Sequence, residues 1–493
     1  MKAIGLDIGT TTICGVVLDG ETGEVLFSRT LPNDTAISQG ASFEKKQDPE
    51  KIWNKIQELL EEMGRKHPQV DSIGLTGQMH GILYVDGEGR AVSPLYTWQD
   101  ESGNQRVEVE EGEDGQMARG AEKEKQGTAT KASDSRQTYA EALARDTGYF
   151  AATGFGLTTY YYHQRKGLVP DQAAGLCTIG DYMGERLVGS QVPSISPSNG
   201  ASLGIFDVRR GCFDIEKIKA AGLNCQLLPQ VLSGAALLGR VCEAASPKIE
   251  GRAIYAGVPV SVALGDNQAS FLGTVRNMED TVLVNVGTGS QISVGTRRFV
   301  ADSPVELRPL IQGDYIFAGS CLCGGRAYAA LEQFFRQVFR MAEGKESGKL
   351  YGQMAALLEE TKQEAASCVQ VNPQFCGTRE NPQLKGTVTG ITLENLTPQS
   401  FIRGFLQGIA RELYDLYEEI LPRLEKSPLK LVGSGNGIRM NPTLKEAFEE
   451  LFGCALQIPV HTEEAAYGTA LFSLVAAGKY QSLTEAQRVI RYQ

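Results

Sequence analysis

The sequence predicts an α/β protein made of two domains of similar design. At 493 residues the chain is longer than one hydrophobic core usually supports, and its length corresponds to about two to four domains. Strand-like and helical stretches alternate along it, which is typical of α/β domains. A strand–turn–strand pattern around Gly9–Thr12 returns at Gly287–Ser290, more than half the chain later. The repeat indicates two similarly built halves.

The composition is that of a soluble globular protein. Hydrophobic residues make up 42% and charged residues 22%, which leaves ample apolar surface to bury. The net charge of -11 repels nucleic-acid backbones and anionic lipids, and no basic patch offsets it. No signal peptide is recognisable, and the longest apolar runs fall far short of a membrane span. We therefore expect a cytoplasmic protein with neither membrane nor nucleic acid as a partner, for which a homodimer is an open alternative.

The cysteines and histidines form no recognisable metal or redox motif. Of ten cysteines, only Cys321 and Cys323 lie close together, and their one-residue gap matches neither zinc spacing nor a redox motif. The four histidines are too scattered for a histidine-rich metal site. We expect reduced thiols.

The first half of the chain begins with two buried strands. Apolar runs at Ala3–Asp7 and Ile13–Leu18 flank a polar turn, which predicts a hairpin. Asp48 and Pro49 form an N-cap and first-turn pair, so a helix is expected there, and strand character returns at Val70–Thr76.

An insertion interrupts this half. From about residue 101 to residue 140 large apolar residues nearly vanish, which predicts a mobile insertion. Regular structure is expected again near Tyr149.

The second half repeats the design. Thr281–Val286 and Gln291–Val294 predict paired strands, and Phe401–Leu421 has apolar residues at helical spacing. A strand at Leu429–Val432 then enters a glycine-rich turn, after which Asn441 and Pro442 start another helix.

Familiar nucleotide and hydrolase fingerprints fail. The Walker pattern requires glycine where the chain has Glu343, and serine or threonine where it has Leu350. The position of the third glycine in a Rossmann pattern is occupied by Ile438. Gly200–Gly204 matches a hydrolase nucleophile elbow, but it follows a Pro/Ser-rich stretch instead of a strand.

Two glycine–threonine turns have the features of a phosphate site. In Asp7–Thr12, N–H groups and hydroxyls can donate to phosphate oxygens, and a carboxylate can hold Mg²⁺ or its waters. Alone, this stretch could be an ordinary polar turn. Gly287–Ser290 offers a second set of the same donors, which favours a phosphate between the two turns. Gly433–Gly437 could hold an adenine ring or a phosphate, or be only a tight turn.

An acid follows a third strand-like run. Val258–Leu264 leads into Gly265 and Asp266, and α/β sheets place reactive groups at such strand ends. Asp266 can accept the proton of an alcohol that attacks a phosphoryl group, or it can simply cap a helix. Other side chains suit a polyhydroxylated ligand, although the histidine and the tryptophan among them could equally be core residues. They are Gln78, His80, Trp98, Gln99 and Asp100.

With these motifs in order, the sequence resembles the FGGY carbohydrate kinases of the actin-like ATPase superfamily. The resemblance covers nearly the whole chain apart from the insertion. Its motifs are Asp7–Thr11, Gly77–Gly81, Trp98–Asp100, Gly265–Asn267, Gly287–Gly289 and Gly433–Gly435. Three stretches, Trp98–Asp100, Ala152–Gly156 and Cys177–Tyr182, resemble the branch that phosphorylates sedoheptulose more than the xylulose and glycerol branches.

The resemblance implies two ribonuclease-H-like domains with an interdomain cleft. A sugar-binding domain would span 1–270 and an ATP-binding domain 271–493, with ATP and Mg²⁺ as cofactors. Asp266 would be the catalytic base, and Asp7 would help place Mg²⁺. The sugar would be bound by Gln78, His80, Trp98, Asp100, Asp266 and Asn267. ATP would be bound by Thr10, Thr11, Thr12, Gly287, Thr288, Gly433, Ser434, Gly435 and Asn436.

Two departures from the family pattern bear on the sugar. Thr158–His163 stands where the family usually has a lysine and a tryptophan, and Ser400, Gly404 and Phe405 replace commoner residues. The implied reaction is ATP-dependent phosphorylation of a ketose, sedoheptulose to its 7-phosphate before any other. The alternatives are another FGGY kinase acting on xylulose, ribulose or a related polyol and, more remotely, an actin-like ATPase without sugar kinase activity.

Overall fold

The structure, a computed structural model, describes residues 1–107, 137–311, 313–361, 369–378, 381 and 383–493. The chain forms two compact units. The N-terminal unit contains Met1–Val17 and Leu26–Asp266, and the C-terminal unit contains Leu18–Val25 and Asn267–Gln493. Two α/β units are what the sequence predicts. The predicted boundary between residues 270 and 271 falls inside a helix, and the interdomain cleft stays a prediction.

A seven-stranded sheet forms the centre of the N-terminal unit. In spatial order the strands run β5-β6-β4-β1-β2-β3, and β7 also pairs with β4. Pairing of β1 and β7 with β4 is parallel. The strands are β1 (Lys2–Ile8), β2 (Thr12–Asp19), β3 (Val25–Pro32), β4 (Ser72–Gly77), β5 (Leu237–Arg240), β6 (Pro259–Ser261) and β7 (Leu264–Gly265).

The N-terminal unit also contains helices and short strands outside this sheet. The first helix, α1, begins as predicted, because the Asp48 carboxylate accepts the N–H groups of Glu50 and Lys51. The helices are α1 (Pro49–Lys66), α2 (Tyr139–Thr147), α3 (Gly156–Lys166), α4 (Ile179–Val188), α5 (Pro197–Leu203) and α6 (Ile215–Ala220), with 3-10 turns at Ser102–Asn104 and Cys225–Leu227. The short strands are Ala36–Ile37, Lys46–Gln47, Leu83–Val85, Leu95–Tyr96, Gly175–Cys177, Ser194–Ile195, Phe206–Asp207, Cys212–Phe213, Gln230–Val231, Lys248–Ile249 and Arg252–Ala253.

A helix joins the units in sequence. Helix α7 (Asp266–Thr274) begins at the last residue of the N-terminal unit, and its other residues belong to the C-terminal unit.

The C-terminal unit has a six-stranded sheet with a related design. Its order is β10-β11-β9-β8-β12-β13, in which β8 pairs antiparallel with β9 and parallel with β12. The two sheets share this feature, because the first strand of each has a parallel neighbour. That neighbour is β4 for β1 and β12 for β8. The strands are β8 (Thr281–Val286), β9 (Ser290–Thr296), β10 (Glu306–Pro309), β11 (Tyr315–Cys321), β12 (Lys430–Ser434) and β13 (Leu456–Gln457), with a separate pair at Gln370–Asn372 and Thr387–Thr389.

The longest helix of this unit confirms the predicted helix at 401–421. It is α10, whose apolar stripe lies in the core with the strands β8, β9 and β12. The helices are α8 (Gly324–Glu343), α9 (Tyr351–Glu360), α10 (Pro398–Ile420), α11 (Asn436–Arg439), α12 (Pro442–Phe452), α13 (Glu464–Ala476) and α14 (Leu483–Ala486), with 3-10 turns at Leu421–Arg423 and Gln487–Val489.

Two expectations need correction. Regular structure after the insertion resumes at Tyr139 rather than near Tyr149, because Thr138 and Glu141 form a capping box that starts α2. The strand-like run Val258–Leu264 is two short strands, β6 and β7, that pair with β4 at different points. Of the insertion predicted at about 101–140, residues 108–136 lie outside the described residues. Within the described ranges, no helix is long and apolar enough to cross a membrane.

Candidate active site

Three parallel strands end side by side at one edge of the N-terminal sheet. Ile8 of β1 and Gly265 of β7 both pair with Gly77 of β4. The next residue on each strand is Gly9, Gln78 and Asp266. The carboxyl ends of parallel strands are where α/β folds place their ligands. The register therefore brings the first glycine turn, the start of the Gln78–Gly81 loop and the predicted base to one sheet edge.

A hydrogen-bonded network joins the first turn to the predicted sugar residues. The Trp98 indole N–H donates to the Thr10 hydroxyl at 2.9 Å, and that hydroxyl lies 3.3 Å from the Gln78 side-chain oxygen. The Gln78 amide donates to Gln47, whose own amide donates to the Thr10 carbonyl at 2.8 Å. Trp98 is 47% exposed although its N–H is bonded, so its ring is available to a ligand. Thr11 and Thr12 are also exposed.

A cavity of about 510 Å³ lies against this network. It is lined by Thr10 and Thr11 of the first turn, by Thr97 and Gln99 beside Trp98, and by the loop that leads to α1. Asn33 supports the turn from this side, since its amide donates to the Gly9 carbonyl at 2.7 Å. The cavity is large enough for a sugar-sized ligand.

His80 is held in an unusual backbone conformation. Its φ of 72° is in the left-handed region, which is uncommon for a residue other than glycine. The ring Nδ1 lies 2.7 Å from the Ser202 carbonyl, so it must carry the proton, which leaves the lone pair of the neutral ring on Nε2. The ring stacks on Phe155 at 4.7 Å. A fixed tautomer and a strained backbone are features of ligand-binding positions.

Both carboxylate oxygens of Asp100 accept hydrogen bonds from the protein. Its side chain is fully buried. One carboxylate oxygen accepts the Lys45 N–H at 3.2 Å, and the other accepts the N–H and the hydroxyl of Ser102. Burial raises the pKa of this carboxyl. These contacts hold the loop that carries Trp98 against the segment around Lys45.

Asp266 is exposed at the N-terminus of α7. The strand before it is fixed by two bonds, from the Gly265 N–H to the Ser198 hydroxyl at 3.1 Å and from the Thr76 hydroxyl to the Leu264 carbonyl at 2.9 Å. The neighbouring Asn267 is half-buried, and its side-chain oxygen is buried without a hydrogen-bond partner in the described part of the chain. An exposed carboxylate on a fixed strand end can accept a proton.

Asp181 is buried close behind this strand end. The Thr178 hydroxyl donates to one carboxylate oxygen at 2.6 Å, and the Asn199 amide lies 3.4 Å from the other. Asn199 neighbours Ser198, the partner of Gly265. Burial raises the pKa of Asp181 to about 7, although the two hydrogen bonds have the opposite effect and lower it.

We expect Asp181 to make the protein less stable as the pH rises from about 4 to above 7. The carboxyl ionises near 3.8 when the chain is unfolded and near 7 when it is folded, so the folded protein holds the extra proton in between. The stabilisation from this proton is complete below the unfolded pKa of 3.8, and it is lost as the pH rises through the folded pKa of about 7. In Asp181→Asn, which is nearly isosteric, the fall in melting temperature between pH 5 and pH 8 should be smaller than in the wild type.

The control for this measurement is Asp171→Asn, which changes an exposed aspartate in the same unit. Its melting profile should run parallel to that of the wild type. A parallel profile for Asp181→Asn as well would show that this carboxyl does not titrate as the burial requires.

The second glycine turn, Gly287–Ser290, lies in the C-terminal unit and joins β8 to β9. The Gly287 N–H donates to the Gly289 carbonyl at 2.9 Å, and Thr288 at the tip is exposed. The N–H groups of Gly325 and Arg326, at the start of α8, donate to the carbonyls of Gly287 and Thr288, each at 2.9 Å. These two bonds hold the turn against the start of α8, while Thr288 is exposed.

The third glycine turn lies against the second. Gly435 has φ 83°, and a Cβ there would come within 2.6 Å of the Val286 carbonyl, just before Gly287. The Asn285 amide donates to the Ser434 hydroxyl at 2.6 Å. The structure thus brings Gly433–Asn436 and Gly287–Thr288 together at one edge of this sheet. The Ser434 side chain is fully buried, whereas Asn436 is exposed.

Asp7 is a half-buried carboxylate near the end of β1, opposite Thr76 of β4. In the part of the chain that the structure describes, no three histidine, cysteine, aspartate or glutamate side chains gather to hold a metal ion. A single carboxylate near a predicted phosphate turn is nevertheless a donor set that Mg²⁺ uses when it binds with a nucleotide, because phosphates and waters supply the other ligands. The residues present fit Mg²⁺ on that basis.

Several residues of the site were not predicted from the sequence. Gln47 and Phe155 contact predicted site residues. Asn33 and Ser198 contact Gly9 and Gly265, which directly precede predicted site residues. Gln47 could have been found, because it directly precedes the Asp48–Pro49 helix start and is therefore fixed in position. Phe155 lies in the stretch Ala152–Gly156 that carries part of the family resemblance. Asn33 and Ser198 give no local signal, since their roles depend on contacts between distant segments.

Comparison with known proteins identifies the family. Residues 2–135 and 121–273 match the N-terminal domain of the FGGY family of carbohydrate kinases, and residues 282–477 match its C-terminal domain. The chain belongs to the FGGY family of carbohydrate kinases. It is a phosphotransferase with an alcohol group as acceptor, and its substrates are a small-molecule sugar and ATP. This sets aside the alternative of an actin-like ATPase without sugar kinase activity.

Three relatives are similar to this chain along nearly their whole length. The sedoheptulokinase of Mus musculus is 26% identical over 513 residues, which cover 96% of this chain and 97% of that protein. The structure of xylulose kinase from Rhodospirillum rubrum aligns with a TM-score of 0.79 and 20% identity, over 100% of this chain and 93% of that one. The structure of Plasmodium falciparum glycerol kinase with ADP aligns with a TM-score of 0.74 and 16% identity, over 100% and 93%. These structures support the fold.

Proposed function

We propose that this kinase transfers the terminal phosphoryl group of ATP to a ketose, and that the ketose is sedoheptulose, which becomes sedoheptulose 7-phosphate. The observation that carries the proposal is the shared sheet edge of Gly9, Gln78 and the exposed Asp266. The choice of sugar is supported by the similarity to a sedoheptulokinase across 96% of the chain. We place the reaction in the cytoplasm.

Asp266 acts as the general base in this proposal. It accepts the proton of the attacking hydroxyl while the oxygen bonds to the terminal phosphorus of ATP and the bond from that phosphorus to the leaving ADP breaks. Its exposure lets a substrate reach it, and the bonds to Gly265 and Leu264 fix the strand end from which it projects. Asn267 supplies a buried side-chain oxygen that can accept a hydrogen bond from the sugar.

The sugar is oriented by the residues around Gln78. Trp98 offers an apolar ring face to the carbon skeleton, and the Nε2 atom of His80 can accept a hydrogen bond from a sugar hydroxyl. Asp100 would act through position rather than contact, because protein donors already occupy both of its oxygens. We therefore assign Asp100 to positioning Trp98.

The phosphates are bound by the glycine turns. The hydroxyls of Thr10, Thr11 and Thr12 lie on the first turn, and Thr288 presents the same group from the second. Gly433–Asn436 leaves bare backbone beside Gly287, where the adenosine can lie. Asp7 would hold Mg²⁺, which when bound supplies charge neutralisation at the phosphates.

The substrate is tested by measuring ADP release over a panel of acceptors. The panel contains sedoheptulose, xylulose, ribulose, fructose, glycerol and gluconate, each compared at kcat/KM. Sedoheptulose should exceed every other acceptor by at least tenfold. If xylulose, ribulose or glycerol leads instead, the FGGY assignment stands and the choice of sugar is wrong.

A further inference from the structure

Two cysteines from distant parts of the chain meet beneath the second glycine turn. The sulfur atoms of Cys323 and Cys376 are 3.7 Å apart, which is van der Waals contact. No disulfide is formed among the cysteines that the structure describes. We propose that Cys323 and Cys376 are a modification site, a dithiol that hydroperoxides convert reversibly to a disulfide, and that this disulfide weakens nucleotide binding at Gly287–Thr288.

The surroundings of the two sulfurs differ in a way that suits sequential oxidation. Cys376 is half-buried, and the Arg326 guanidinium lies 3.6 Å from its sulfur, so a thiolate there has a cationic neighbour. Cys323 is only 3% exposed. Burial, together with the neighbouring Cys376, raises the pKa of Cys323 to about 11. A peroxide therefore reaches Cys376 first, and Cys323 is the resolving thiol.

The chemistry needs only a hydroperoxide as oxidant. With hydrogen peroxide, the Cys376 thiolate attacks one oxygen, a bond forms between sulfur and that oxygen, and the O–O bond breaks so that the other oxygen leaves as water after protonation. Cys323 then attacks the sulfenic sulfur, the S–S bond forms, and the hydroxyl group leaves as a second water. Two thiols lose two electrons and two protons in total, and a dithiol reductant restores them.

The local structure permits the two sulfurs to close. A disulfide bond is about 2.05 Å long, so the sulfurs must approach by about 1.7 Å. Cys376 lies in the turn that follows the strand Gln370–Asn372, where the Gly377 N–H donates to the Gln374 carbonyl and Gly377 has φ 70°. A turn outside regular secondary structure can shift more easily than the start of α8.

The site is coupled to the phosphate turn by the backbone beside Cys323. A Cβ on Gly324, the next residue, would lie 2.7 Å from Gly289, so the start of α8 is in close contact with the turn. Gly325 and Arg326 hold the carbonyls of Gly287 and Thr288. The disulfide removes the sulfur partner of the Arg326 side chain, and Arg326 is one of the two residues that hold these carbonyls. Only this coupling rests on the proposed nucleotide site.

The test uses the full-length protein, reduced, desalted and treated with stoichiometric hydrogen peroxide. Peptide mapping without reductant should find Cys323 linked to Cys376. The dissociation constant of ADP should rise about three- to tenfold, the effect of losing roughly one hydrogen bond, and dithiothreitol should reverse both changes. Cys376→Ser should show neither change, whereas the matched control Cys225→Ser, a half-buried cysteine of the other unit, should behave as the wild type.

In Cys323→Ser, the sulfenic acid on Cys376 should persist and be trapped by dimedone. Links to other cysteines, or two thiols that survive peroxide, would overturn the modification site whatever the enzyme phosphorylates. A mapped Cys323–Cys376 disulfide with an unchanged ADP affinity would overturn the coupling. Because mapping requires no sugar, failure of this inference can be told apart from failure of the proposed reaction.

Discussion

Asp266→Asn should lower kcat for phosphorylation of the ketose by about 10²- to 10⁴-fold. The amide has the same shape as the carboxylate but cannot accept the hydroxyl proton at neutral pH. Because Asp266 is exposed and the strand before it is held by the hydroxyls of Ser198 and Thr76, the substitution should leave the fold unchanged. The KM for the sugar should change less than kcat, since the amide still forms hydrogen bonds.

The measurement is ADP release at saturating ATP, paired with a melting temperature to confirm folding. Asp171→Asn, which alters an exposed aspartate of the same unit, should retain wild-type turnover. Turnover of Asp266→Asn within a few-fold of the wild type would remove Asp266 from the role of base.

Gly468→Ala should strongly destabilise the C-terminal unit, by about 3 kcal/mol. Helices α7 and α13 cross in direct backbone contact there. A Cβ on Gly468 would lie 1.9 Å from the Ala269 carbonyl, and one on Gly273 would lie 2.0 Å from the Glu464 carbonyl. Backbone cannot move aside as a side chain can, so the helices must separate. The melting temperature should fall by roughly 6–12 °C.

Activity should fall together with stability in this variant, because α7 begins at Asp266. Gly352→Ala is the matched control, since Gly352 is an exposed helical glycine with no atom within 4 Å of its added Cβ. That change should be neutral or stabilising by up to about 1 kcal/mol. A melting temperature for Gly468→Ala equal to that of the control would mean that the helices are not packed this closely.

Local patterns account for most of the elements that were predicted. Asp48 and Asn441 each cap a helix that a following proline starts, and such signals need no knowledge of the rest of the chain. The break between β6 and β7 could not be predicted in this way. Both pieces are apolar, and only their separate pairing with β4 divides them. Tyr139 was missed because the stretch before it is poor in apolar residues, although Thr138 and Glu141 carry a capping box.

Candidate site residues could be predicted where they directly follow a strand. Gly9, Gln78 and Asp266 each directly follow a strand, so their residue types and positions suggested a role. The structure adds the register that places them side by side. Asp100 shows the limit of this reasoning, because its motif suggested a sugar ligand while both oxygens bind protein donors. One of these carboxylate oxygens accepts the N–H of Lys45, which is far away in the sequence, so a local pattern cannot predict that it is occupied.

The eight-residue segment Leu18–Val25 belongs to the C-terminal unit although both of its flanks belong to the other. The hydroxyls of Tyr467 and Tyr480 donate to the carbonyls of Gly23 and Gly20. The C-terminal half therefore cannot be excised at residue 267 as an independent fragment without losing a piece of its own structure. During synthesis on the ribosome, that piece emerges first and must wait for the last helices before it finds its partners.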